Sequence, residues 1–275
     1  MLEKRPEDLE VASGRLRTAA AQAGLLIKKR KMKTDKKSLA KHPEKALLLA
    51  EAMAMEGHAL MILAMCLVTG NSYVKGAYYV RRSWKTWEAT QQLCKDLEAA
   101  QVEIPRRLRG LVAFGVGFFY FGISLVPDNL SFLVKLLGFQ GDRLRAAELL
   151  AVSKDVPECG KSIESALMLY ALRFWFSDER ENAPQLLADL REKLPNSPLL
   201  FLMSGWQAMI TDHDVDRAVE CYRRGAELVQ VPQLKVVFSQ SLVSEWGWRT
   251  KKWGLTLLRR GPISCARIGT WCASC

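Results

Sequence analysis

Apolar residues recur at three- and four-residue intervals along most of this chain, and the two-residue alternation of half-buried strands is nearly absent. Ala77, Val80, Trp84 and Trp87 are one example: spaced 3, 4 and 3, they fall on a single helix face. A chain with this period buries its apolar stripes against other helices, which predicts an all-α fold. The expected helices cover 6–27, 43–68, 73–100, a stretch opened by Pro105, 129–137, 142–152, 161–176, 182–194, 198–211 and 214–229. Breakers support the boundaries. Gly70-Asn71-Ser72 stops one helix, Gly138 and Gly141 suit a cap and a tight turn, and Ser197-Pro198 is a helix start.

The last four of these helices read as two hairpins, 161–194 and 198–229. The second carries the most informative pattern. Its first helix, PLLFLMSGWQAMIT, has Phe201, Gly205 and Ala208; its second, DVDRAVECYRRGAELV, has Ala218, Tyr222 and Ala226. Small residues at the crossing of two antiparallel helices, with an aromatic filling the outer groove, are what a tetratricopeptide unit needs. These six are the candidate repeat-packing residues. One hairpin cannot bury its face alone, so it must stack on neighbours. The reading is therefore helical hairpins stacked as a degenerate tetratricopeptide-like α-solenoid. The groove of such an array is expected to present side chains from the first helix of each hairpin, Gln207 among them.

The net charge of +11 invites an acidic or nucleic-acid partner, but its distribution argues against a basic face. Residues 28–41 (KKRKMKTDKKSLAK) carry +7 and residues 249–275 carry +6, which leaves −2 for the rest. No nucleic acid is expected. The run at 28–42 reads as a solvated basic loop, with a nuclear import signal or an anionic-lipid contact as alternatives. Met1 to Ala20 is charged throughout, which does not fit a secretory signal. The seven cysteines are odd in number, and Cys66, Cys94, Cys159 and Cys221 lie far apart. They read as reduced, mostly buried thiols of a cytoplasmic protein, with nuclear and membrane-peripheral locations as alternatives.

Residues 110–126 (GLVAFGVGFFYFGISLV) hold no charge, yet they fall short of the roughly 20 apolar residues that a span needs. Gly110, Gly115, Gly117 and Gly122 would let neighbouring helices approach closely. The stretch reads as a buried central helix, with membrane contact as the alternative.

Several segments resemble the tetratricopeptide-repeat protein 39 family, which includes the fungal inclusion-body-clearance proteins. They are GNSYVKGAYYVRRSWKTWEA (70–89), GVGFFYFGISLVPDNLSFLVKLLGFQGDR (115–143) and SPLLFLMSGWQAMITDHDVDRAVECYRRGAEL (197–228). Tyr73-Val74-Lys75-Gly76 stands where the family has its F-x-K-G turn. Leu125-Val126-Pro127 stands at the end of its G-x-G-x-F-x-x-x-L-S-x-L-P run. The likeness spans about residues 40–248. It implies a scaffold without known catalytic residues, with roles in protein interaction, protein quality control and lipid handling. It also implies a truncated member, because the pattern stops after Ser244-Glu245-Trp246-Gly247-Trp248.

Motifs that suggest chemistry have simpler readings. Gly160-Lys161-Ser162 resembles the end of a phosphate-binding loop, but Asp155 stands where that loop needs a glycine, and helix precedes it. Gly115-x-Gly117 lacks a third glycine at the right spacing. Asp212-His213-Asp214 offers an incomplete metal ligand set and reads as an inter-helix turn with an Asp N-cap. His42, His58 and His213 are far apart in sequence, and no serine–histidine–aspartate set has local support. No catalytic, cofactor-binding or metal residue is expected. Residues 249–275 have no acidic residue and no helical period, and Gly254, Gly261-Pro262 and Gly269 would break a helix. They are expected to lie outside the fold, and Cys272-Ala273-Ser274-Cys275 departs from both a zinc knuckle and a prenylation box. The domains are then a helix at 1–27, the basic loop at 28–42, the repeat array at 43–248 and an irregular tail. The function expected is a non-catalytic scaffold that binds a protein partner. The alternative is a membrane or lipid-droplet adaptor using the 110–126 helix and the basic loop.

Overall fold

A computed structural model describes residues 6–30, 36–124, 126, 141–176, 182–229 and 241. The helix expected at 129–137 and the tail at 249–275 lie outside them, as do 230–240 and 242–248. The described residues form α1 (Pro6–Arg30), α2 (Lys36–Lys41), α3 (Pro43–Thr69), α4 (Tyr73–Ala99), α5 (Arg106–Ser124), α6 (Arg143–Lys154), a 3-10 turn (Pro157–Cys159), α7 (Ser162–Phe176), α8 (Ala183–Lys193), α9 (Pro198–Ile210) and α10 (Val215–Leu228). Two compact units, Met1–Ala183 and Pro184–Cys275, divide the chain.

In the first unit α3 packs against α1 and α4, α5 against α6, and α6 against α7. Residues 28–42 are not a loop throughout. Lys28–Arg30 extend α1, and Lys36–Lys41 form α2. The reason is one side chain: Leu39 is fully buried in a cluster with Ala46, Leu49, Leu93, Leu97, Ile104 and Leu108, while Lys37 and Lys41 on the same helix stay exposed.

The deepest line of α4 differs from its purely apolar face. Trp87 is fully buried, but Ala77, Val80 and Trp84 are half-buried, and the line runs instead through Gly76, Ser83, Trp87, Thr90, Leu93 and Leu97. Ser83 and Thr90 can lie there because each hydroxyl finds a carbonyl. Ser83 Oγ donates to the Gly57 oxygen at 2.8 Å, and Thr90 Oγ1 to the Thr86 oxygen at 2.7 Å. Nearby, Arg82 donates to the buried Glu56 carboxylate at 2.7 Å, tying α4 to α3.

Trp87 is fully buried, and two glycines make room for it. A β-carbon at Gly57 on α3 would sit 2.8 Å from Trp87 Cε2, and one at Gly115 on α5 would overlap Cη2 and Cζ2. Three helices therefore close on one indole. The other α5 glycines make room for other neighbours. A β-carbon at Gly110 would crowd Val156 Cβ at 2.9 Å, at Gly117 Leu149 and Leu150 at 3.1 Å, and at Gly122 Met61 Cε at 2.8 Å. Eleven of the nineteen α5 residues are buried, so the charge-free stretch is core. Among the described residues, the helix long and apolar enough to cross a bilayer, by length and composition, is instead α3, and most of its apolar window is buried too.

Candidate functional site

The hairpin of α9 and α10 is where the candidate residues fall. Pro198 opens α9, and Asp214 caps α10, its carboxylate accepting the Arg217 N–H at 3.0 Å. The turn between them is closed by backbone bonds. The Gln207 oxygen accepts Thr211 N–H at 2.9 Å, and the Ala208 oxygen accepts Asp214 N–H at 2.9 Å. His213 takes a positive φ of 53° in this turn, and Asp212 pairs with Arg217 at 3.0 Å. Asp212-His213-Asp214 thus builds a corner.

At the crossing, Gly205 faces Tyr222. A β-carbon there would overlap Cε1 and lie 2.6 Å from Cδ1 and Cζ. Ala208, Ala218 and Tyr222 are buried together with Leu202 and Val229, and Ala226, Trp206 and Met209 pack against them. Phe201 stands apart from this cluster. It is buried, with the Arg191 guanidinium 5.1 Å and the Arg224 guanidinium 5.9 Å from its ring centroid. Arg191 also donates to Ser204 Oγ at 3.4 Å. The structure therefore brings Gly205, Ala208, Ala218, Tyr222 and Ala226 together at one interface and places Phe201 beneath two arginines.

Gln207 corrects an expectation. It is only 8% exposed, and α9 is buried around nearly its whole circumference. The first helix of this hairpin does not offer a groove face. On α9 only Leu199 and Ile210, at its two ends, are exposed, whereas α10 exposes Arg223, Arg224, Glu227 and Leu228.

Other groups that suggest chemistry are committed elsewhere. Gly160 takes the left-handed conformation, φ 68°, to end the 3-10 turn. Beside it, Lys161 pairs with Glu164 at 2.8 Å and Ser162 Oγ donates to the Lys154 oxygen at 2.6 Å. His58 lies against Phe114 and Phe118, centroids 5.3 and 6.1 Å away. Burial, reinforced by Lys161 and partly opposed by Glu164, lowers its pKa to about 4, so it is neutral at pH 7. Burial disfavours ionisation of Glu164, but the hydrogen bond and charge of Lys161 outweigh it and hold the carboxyl below its ordinary range. Burial pushes the Cys94 thiol up to about 11, helped by Glu98, and raises Cys221 as well. Neither is a thiolate at neutral pH. Among the described residues, no three side chains of the kinds that ligate metals converge.

A signal for the arginine pair was available only in part. The i, i+4 spacing of Arg224 and Leu228 marks an exposed α10 face, but nothing local ties Arg191, on another helix, to Phe201.

Small residues admitting an aromatic between antiparallel helices, with a capped corner between them, define an all-α helical-repeat protein of tetratricopeptide type. The chain belongs to the Iml2/Tetratricopeptide repeat protein 39 family, whose model matches residues 1–244. No solved structure matches it.

Proposed function

We propose that this protein is a non-catalytic helical-repeat scaffold that holds another protein, in quality control or lipid homeostasis. The observation that carries the reading is the combination of glycine-seated helix crossings with polar groups tied into the fold. The lysine and serine of the phosphate-loop-like segment, the aspartates of the turn and the buried thiols all have structural partners or protonated resting states. Purified protein immobilised at its N-terminus should retain a stoichiometric protein partner. Retention of membranes or nucleic acid alone would contradict the reading.

A second reading is a peripheral adaptor on a membrane or lipid droplet. Burial of α5 removes its first basis, but the α3–α4 turn supports it in another way. Val74 is 86% exposed and Tyr78 61%, with Met65 and Tyr73 also exposed and Lys75 beside them. Aromatic, aliphatic and basic side chains at one tip suit a headgroup boundary. Fractionation separates the readings. A V74D/Y78D variant should leave the membrane fraction if the tip inserts, and a wholly soluble wild type would remove the idea.

A further inference from the structure

Two cations, Arg191 of α8 and Arg224 of α10, stand over Phe201 of α9 and are not neutralised by any of the described residues. Arg217 pairs with Asp212 and Arg223 with Glu220 at 2.6 Å. Arg191 and Arg224 have no carboxylate partner among the described residues, although both converge on the ring of Phe201. Stacking occupies the face of a guanidinium and leaves its in-plane N–H donors available. Arg191 uses one of them on Ser204 Oγ; Arg224 is exposed. Phe201, held in the hairpin, fixes where both cations stand, so the entropy of ordering two long side chains is already met before any ligand arrives. Leu228 is exposed one turn beyond Arg224 on the same helix face.

We infer that Arg191 and Arg224, seated on Phe201, form a docking point for a carboxylate-bearing segment of a protein partner. The inference rests on the protein-binding reading above and names the chemistry of one contact. Forked guanidiniums match planar carboxylates, and paired charge-assisted bonds to them are the strong kind. The surroundings select a short acidic peptide over an anionic bilayer. Glu192 and Glu227 are exposed on the same two helices, and Asp216 and Glu220 lie further along α10. They would repel an extended negative surface, but a narrow segment can meet the arginines between them. Exposed Leu228 offers an apolar side chain of that segment a place to rest.

The test uses the full chain and a fluorescein-labelled oligo-glutamate peptide carrying one central Leu, with its oligo-glutamine counterpart and phosphatidylserine vesicles as further probes. The glutamate peptide should bind, and the glutamine peptide should not. R191Q/R224Q should weaken binding at least about tenfold while its melting curve stays with the wild type. R191K/R224K, which keeps the charge and loses the fork, should recover only part of it. Equal binding by R191Q/R224Q would overturn the site, as would full recovery by the lysine variant, which would mean diffuse attraction. Vesicle binding that depends on these arginines, without peptide binding, would overturn it in favour of a membrane. Partner capture separates this site from the broader reading. If wild type and R191Q/R224Q retain the same stoichiometric protein, the arginine site is wrong and the scaffold reading stands. A wild type that binds the glutamate peptide but retains no protein supports the site and contradicts the scaffold.

Discussion

The Trp87 crossing in the first unit and the Tyr222 crossing in the second use one device in two strengths. Tyr222 of α10 meets a single glycine, Gly205 of α9. Trp87 of α4 meets two, Gly57 of α3 and Gly115 of α5, so two other helices close on the indole. A ring with one glycine can yield by a small rotation away from it. A ring between two has nowhere to go, because interiors are packed to crystal density. The difference shows how a degenerate repeat can keep its architecture: the number of helices that close on an aromatic matters more than its identity.

Substituting the glycines should separate the two crossings. Gly115→Ala places a methyl inside the indole ring and should cost about 3 kcal/mol, at the upper end of overpacking. Gly205→Ala should cost about 2 kcal/mol, because Tyr222 has more freedom to shift. Hydrogen exchange on each variant is the suitable measurement. Protection should fall in α3–α5 for the first and in α9–α10 for the second, so equal effects, or loss in the wrong unit, would break the contrast.

Acid should weaken the first unit. His58 is neutral in the folded state with a pKa near 4, against 6.5 when unfolded. The unfolded chain therefore binds the proton first as pH falls, and the folded state loses stability through the window from 6.5 down to 4. The loss should reach about 2 kcal/mol by about pH 5. His58→Gln should flatten that part of the stability-pH curve; an unchanged curve would mean that His58 does not titrate as its surroundings demand.

The smallest effect has the opposite sign. Gly14 lies within α1 with nothing near its missing β-carbon. Gly14→Ala should stabilise by about 0.5–1 kcal/mol through helix propensity alone. A thermal melt that shows destabilisation would reveal a neighbour at that face.

Most of the described helices were legible in the sequence to within a few residues, because caps, prolines and apolar period are local signals. The small-residue pattern at Gly205, Ala208 and Ala218 was legible for the same reason. What escaped depends on distant partners. Leu39 was one of three apolar residues, with Met32 and Ala40, in a basic run, and only the α3–α4 core explains why α2 forms around it. Ser83 and Thr90 count as polar until a carbonyl is found for each hydroxyl. Gly57 sits unremarked in an alanine-rich helix until Trp87 lands on it. Gln207 looks like a groove residue on a helical projection, but the surrounding chain covers α9 on almost every side. The convergence of Arg191 and Arg224 on Phe201 needs three helices at once.

One double-mutant cycle, Gly115→Ala with Trp87→Leu read by chemical denaturation, tests the glycine-seated crossing most directly. If the indole is what forbids a β-carbon on α5, removing the ring should relieve the clash. Gly115→Ala should then cost less than about 0.5 kcal/mol in the Trp87→Leu background, a coupling of about 2 kcal/mol or more. A Gly115→Ala penalty that remains near about 3 kcal/mol without the ring would place the cost elsewhere and contradict the glycine-seated crossing as the basis of this fold.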